Sequence, residues 1–265
     1  MAVRNVWRGS QTVRPLQTPY AFLPTQQRLG GVMRVSFADF DPAAFSFHGD
    51  PVLVLDNFWS GDERRLFREA MGRSSWRALE DMPQVHAAFP DCGNWRKAAI
   101  AMPEVQRLLA RLAFPCIERY MESFDGITGR SLSFSYYSYG AGDCLLTHDD
   151  LADGPRGGAG ALTTVERRLA LVSYFHEEWE TDWGGELMIY SSHWPGGSDR
   201  IKLTLSHCVA PEPGSLVLFT VPQYHRVCRV DPLVGEHKRL SIAGWFLTEH
   251  AGTGRYEAAQ ATARR

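Results

Sequence analysis

Between Arg239 and Phe246 the chain reads RLSIAGWF. Arg239 and Ser241 take turns with Leu240 and Ile242, a period of two. That is the period of a β-strand, whose successive side chains point to opposite faces. Working back toward Gly129, the same texture recurs in Leu132–Tyr137, Leu169–Phe175, Glu186–Tyr190, Lys202–His207, Leu216–Val221 and Arg226–Val230. Gly, Pro and Asp punctuate these runs, and helical signals are scarce among them. Many short strands in succession imply a mainly β sandwich or barrel rather than alternating β and α units.

The first half reads differently. Val32–Phe40 and Val52–Leu55 are strand candidates. Ser60 and Glu63 stand in capping-box spacing before Leu66, Phe67 and Ala70, which predicts a helix over Gly61–Met71, ended by Gly72. Pro103 opens a second helical pattern through Val105, Leu108, Leu109, Leu112, Ile117 and Met121. Pro115 should kink or split it. Asp149–Val165, rich in Gly, Asp and Ala and without a period, reads as a loop long enough to act as a lid. The expected organisation is an extension over 1–45, one domain over 46–250 with helical support to 130 and a β core beyond it, and a flexible tail over 251–265.

Bulk composition excludes several classes. The chain has 265 residues, of which 44% are hydrophobic, enough for a real core. Net charge is -2, so nothing pulls it toward nucleic acid or an anionic membrane. No apolar run is long enough to span a bilayer, and Met1–Gly30 shows no secretory pattern. The 5 cysteines form no C-x-x-C pair, so a disulfide scaffold or a cysteine zinc site is not expected, and a reducing cytoplasm is the default.

The sharpest local feature is His148-Asp149-Asp150. In a strand, residues two apart face one side, so His148 and Asp150 would present an imidazole and a carboxylate to one ion. His225, after the strand Leu216–Val221 and the turn-like Pro222-Gln223-Tyr224, supplies a third ligand. Two His and a carboxylate leave positions free at the metal, the chemistry of an oxygen-activating ferrous centre. An H-x-D triplet also arises by chance in surface turns, and a zinc hydrolase would use similar ligands. What sharpens the reading is Arg239, fourteen residues beyond His225. An arginine pointing into a sheet needs an anionic partner, and its planar fork suits a carboxylate. Ser241 and Tyr139 would complete that clamp with hydroxyls. The bland reading of Arg239 is a surface residue at a strand entrance.

Taken together, these residues resemble a known family. Tyr139-Gly140-Ala141-Gly142-Asp143, then His148 and Asp150, then Arg168 through Tyr174-Phe175, are similar to the prolyl-4-hydroxylase-like branch of the Fe(II)/2-oxoglutarate-dependent dioxygenase superfamily. So are Trp179 with Trp183-Gly184-Gly185-Glu186-Leu187, Pro213 to Phe219, and His225-Arg226-Val227 with Arg239 to Phe246. The resemblance runs from about Leu132 to Phe246. It implies a double-stranded β-helix, or jelly roll, with supporting helices. It implies His148, Asp150 and His225 as Fe(II) ligands, with 2-oxoglutarate and O2 as co-substrates. By the same carry-over Arg239 binds the distal carboxylate of 2-oxoglutarate, helped by Tyr139 and Ser241. Because Asp150 is retained, hydroxylation is implied rather than halogenation.

For substrate, the expectation is a small, amino-acid-derived molecule under the 149–165 loop, with a peptidyl-prolyl substrate as runner-up and a non-catalytic jelly-roll binding protein as a third reading. Cys144 reads as a small core hydrophobe and Asp149 as a surface neighbour of the site. Trp179, Trp183 and Trp245 read as packing, and His207 as a rim residue. His193 and Trp194 would wall the mouth, and Arg156 reads as a solvated loop charge.

Overall fold

The computed structural model describes residues 27–29, 31–151, 163–193 and 201–251. Thirteen strands and four α-helices follow one another along them. The first half holds β1 (Gln27–Leu29), β2 (Val32–Ser36), β3 (Val52–Asp56), α1 (Gly61–Gly72), β4 (Arg77–Ala78), α2 (Pro83–Ala88), β5 (Arg96–Ala99), α3 (Met102–Arg111) and α4 (Pro115–Glu122). The second holds β6 (Ile127–Tyr139), β7 (Leu145–His148), β8 (Thr163–Tyr174), β9 (Leu187–His193), β10 (Lys202–Val209), β11 (Leu216–Thr220), β12 (Tyr224–Val227) and β13 (Arg239–Ala251).

Two sheets face each other as a jelly-roll sandwich. The larger runs β1-β2-β3-β11-β8-β13-β6-β5-β4, the smaller β10-β9-β12-β7. Strand alternation sorts the core. Leu53 and Leu55 of β3, Leu169 and Leu171 of β8, Leu216 and Leu218 of β11, and Ile242 and Phe246 of β13 face the helices, where Phe67, Met71, Leu108, Ile117 and Met121 cover them. Their neighbours Val52, Val54, Ala170, Val217 and Phe219 face inward, against Leu187 and Ile189 of the smaller sheet. Both faces of these strands are covered, which is why they read as continuous apolar runs.

The capping box forms as expected. Ser60 accepts from the Glu63 amide and the Glu63 carboxylate accepts from the Ser60 amide, and α1 runs to Gly72. Pro115 splits the second helical pattern rather than kinking it, and opens α4.

Val32–Phe40 does hold the short strand expected of it, over Val32–Ser36, and a 3-10 turn over Phe37–Asp39 follows. Other expectations are corrected. The strand expected at Arg226–Val230 lies earlier, at Tyr224–Val227, where pairing with β9 fixes its register. The 149–165 loop ends at Thr163, because β8 extends to pair with the far end of β13. Most of the expected lid, with Arg156, lies outside the described residues, as do Trp194, residues 1–26 and residues 252–265. Among the described residues no helix is long and apolar enough to cross a membrane. All 5 cysteines are free, and Cys144 is fully buried as a small core residue.

Candidate active site

The smaller sheet sets two histidines side by side. His148 ends β7, His225 lies in β12, and the two are direct cross-strand partners with ring centroids 4.2 Å apart. Each ring is aimed by its own backbone. His148 Nδ1 donates to Leu146 O at 2.8 Å, and His225 Nδ1 to Gln223 O at 2.7 Å. With the proton on Nδ1, each Nε2 presents its lone pair to the same space, an orienting device familiar from metal-ligating histidines.

Asp150 closes the set, though not as a strand neighbour of His148. β7 stops at His148, and Asp150 takes a left-handed conformation with φ 61°. Asp tolerates that region better than most side chains. The turn delivers its carboxylate 3.3 Å from His148 Nε2 and 3.4 Å from His225 Nε2. One ligand atom from each of the three residues lies within 4.8 Å of the others, an arrangement that can hold a metal ion. Among the described residues no fourth His, Cys, Asp or Glu joins this group, so coordination would stay open.

Electrostatics agree with a ligand set. Burial alone would push the Asp150 carboxyl up, but the His148 contact, both imidazoles and the Trp245 N–H more than offset it and hold it below its ordinary value. Burial, then the neighbouring His148, pushes His225 down to about 4, so it stays a neutral donor.

The larger sheet contributes a buried cation. Arg239 is 1% exposed, and its strand partner across the ladder is Tyr139. Its guanidinium carbon sits 5.3 Å from the Tyr139 ring and 4.8 Å from the Tyr174 ring. Tyr174 Oη lies 3.4 Å from one terminal nitrogen, and Nε has no partner. A desolvated guanidinium without a carboxylate is costly unless an anion joins it. Gly185 makes the room: a Cβ there would stand 3.0 Å from Arg239 Cδ. Tyr139 and Ser241 are buried beside it, at 3% and 1% exposure.

Sequence reasoning missed several residues of this site. Trp245, read there as packing, donates its indole N–H to Asp150 Oδ2 at 2.7 Å. The signal was present: Trp245 is an even number of residues from Arg239 and shares its strand face. Arg167 lies 3.5 Å from Asp150 Oδ1 and stacks on Trp245 at 3.8 Å. Phe89, just after α2, sets its edge against His148 at 5.3 Å. Neither had a local signature. Asp149 caps the turn by accepting from the Leu151 amide. Trp179 and Trp183 pack together as expected, while His207 lies within β10 and bonds to Ser206.

Known proteins are similar to this chain chiefly over its β core. The family model of the 2OG-Fe(II) oxygenase superfamily matches residues 133–247. Mouse prolyl 3-hydroxylase OGFOD1 is 30% identical over 141 residues, which are 52% of this chain and 23% of that protein. The Xenopus laevis protein of the same name is 33% identical over 119 residues, 44% of this chain and 20% of that one. The chain thus spans less than a quarter of the length of these relatives. Among solved structures, a Pseudomonas putida prolyl-4-hydroxylase aligns with TM-score 0.50 and 21% identity over 76% of this chain and 94% of its own. The epimerase SnoN of nogalamycin biosynthesis aligns with TM-score 0.50 and 14% identity over 80% and 84%. At such identities these two speak for the double-stranded β-helix fold alone. The likeness is therefore concentrated in the β core, where residues 133–247 match the family model of the 2OG-Fe(II) oxygenase superfamily and prolyl hydroxylases stand among the similar proteins.

Proposed function

We propose that His148, Asp150 and His225 hold one Fe(II), that Arg239 binds the distal carboxylate of 2-oxoglutarate, and that the enzyme hydroxylates an unactivated C–H bond with release of succinate and CO2. The observation that carries this reading is Arg239, buried in the same sandwich as an open His-Asp-His set and with no carboxylate partner among the described residues. When bound, iron with 2-oxoglutarate and O2 supplies the oxidising power. The chain supplies position and dryness. His148 and His225 keep their protons on Nδ1 and offer Nε2. Trp245 holds one oxygen of Asp150, steadying the carboxylate. Tyr139 and Ser241 line the Arg239 pocket and help orient the co-substrate there. No side chain is needed as a general base.

For substrate, the prolyl 3-hydroxylase relatives favour a prolyl residue in a peptide or protein over the small amino-acid-derived molecule expected from sequence. The free thiols fit action in a reducing compartment such as the cytoplasm. A screen of prolyl peptides and free proline derivatives, read by succinate formation and product mass, tests the reading. A mass gain of one oxygen on a prolyl peptide supports it. Succinate-free incubations with iron-loaded, folded protein would contradict it.

A further inference from the structure

The register of the larger sheet lines up one row of side chains facing the candidate centre. Lys97 of β5 pairs with Tyr137 of β6, Tyr137 with Ser241 of β13, and Ser241 with Tyr174 of β8. The neighbouring row, Ala98, Tyr136 and Ile242, faces the helices instead. A lysine therefore stands where its strand neighbours on the same face are site residues. Lys97 Nζ lies over the Tyr137 ring, 5.5 Å from its centroid. The Tyr137 hydroxyl, itself disfavoured from ionising by burial, also feels the charges of Asp150 and Arg167.

Lys97 is half-buried, and among the described residues no carboxylate pairs with it. Burial lowers its affinity for a proton, and the charges that add to this are Arg167 and Arg77, both positive. Arg77 is its cross-strand partner on β4. So Lys97 feels two further cations, and among the described residues its ammonium has only an aromatic face for company. Like charges repel, and partial burial of Lys97 weakens the screening by water. An anion arriving at Lys97 would relieve both costs. Asp150 does not serve, since its oxygens are taken by the histidines, Trp245 and Arg167.

We propose that Lys97, with Arg167 beside it, is a docking point for an anionic group of the substrate, a carboxylate or a phosphate, held across Tyr137 from the carbon to be oxidised. This rests on the function proposed above. It narrows the substrate to molecules with an acidic group near the reacting position, either a free acid or an acidic side chain beside a prolyl residue.

The test is equilibrium binding to anaerobic protein loaded with Fe(II) and 2-oxoglutarate, with paired probes. N-Acetylproline is compared with N-acetylprolinamide, and capped Glu-Pro and Pro-Glu peptides with their Gln counterparts. The expected result is that at least one acid binds about tenfold more tightly than its neutral partner. The difference should vanish in Lys97→Gln. In Lys97→Glu the preference should invert toward peptides carrying lysine in place of glutamate, a change no merely structural lysine would produce. Which pair shows the effect tells a free acid from an acidic peptide. Equal affinity within every pair, no binding of any probe, or a preference that survives Lys97→Gln overturns the proposal. An acid preference without succinate formation in air would leave the subsite standing and count against the oxidation alone.

Discussion

At the residue scale the site depends on how a few side chains are held rather than on which are present. Trp245 is the clearest case, because it fixes Asp150 Oδ2, the oxygen nearer His225 Nε2, while His148 Nε2 lies nearer Oδ1. Outer partners of metal ligands are typically worth about tenfold to a hundredfold in metal affinity. Trp245→Phe keeps the ring under Arg167 but removes the donor. It should therefore weaken Fe(II) binding by about tenfold, measured by anaerobic titration; unchanged affinity would mean the indole only packs. Arg239→Ala should raise the 2-oxoglutarate concentration needed for half-maximal turnover by about a hundredfold, the scale of truncating one partner of a buried ion pair. Iron binding should survive that change, because Arg239 touches none of the three candidate ligands. Equal loss of both would make the arginine a structural residue.

At the element scale, turns and strand register do the positioning. Gly184 and Gly185 both have positive φ, at 68° and 74°, and bring β9 out of a tight turn beneath Arg239. Gly185→Ala would add left-handed strain of about 1 kcal/mol and push on Arg239 Cδ. The expected outcome is a modest loss of thermal stability together with a raised 2-oxoglutarate requirement; a stability loss alone would place the strain elsewhere. This scale also shows what could be read beforehand. The capping box of α1, the break at Pro115 and the alternating runs after Gly129 are local signals, and they located most elements. β5 and β7 went unread because each is only four residues long and owes its strand character to a neighbour. Asp150 was grouped with His148 and His225, as the structure groups them, but through a wrong local structure, since a left-handed turn leaves no periodic trace. Arg239, Ser241 and Trp245 were equally legible by the period of two. Lys97, Arg167 and Tyr174 were not, because only pairing between distant strands brings them to one wall.

At the scale of the whole molecule, two buried histidines couple stability to pH. His176 is 3% exposed, donates from Nε2 to Pro211 O at 2.7 Å, and is pushed down to about 4 by burial; His225 is pushed to about 4 in the same way. Their ordinary value is 6.5. As pH falls below that value the unfolded chain takes up protons that the folded chain refuses until about 4. Stability from each is complete above the unfolded value and drains away as pH falls through that window, by about 3 kcal/mol per histidine. Metal-free protein should melt at progressively lower temperature across that window, and His176→Gln should flatten the fall. A melting temperature independent of pH there would contradict the burial of both rings. The two sheets act together, the smaller one presenting two imidazoles and the larger one a buried guanidinium. The most direct test of this arrangement is anaerobic titration of the protein with Fe(II) and then 2-oxoglutarate, followed by visible absorption. One equivalent of iron should bind, and a weak charge-transfer band should appear on adding 2-oxoglutarate and fail to appear at the same concentration in Arg239→Ala. Folded protein that binds no iron, or binds it and gives no band with 2-oxoglutarate, would contradict the account.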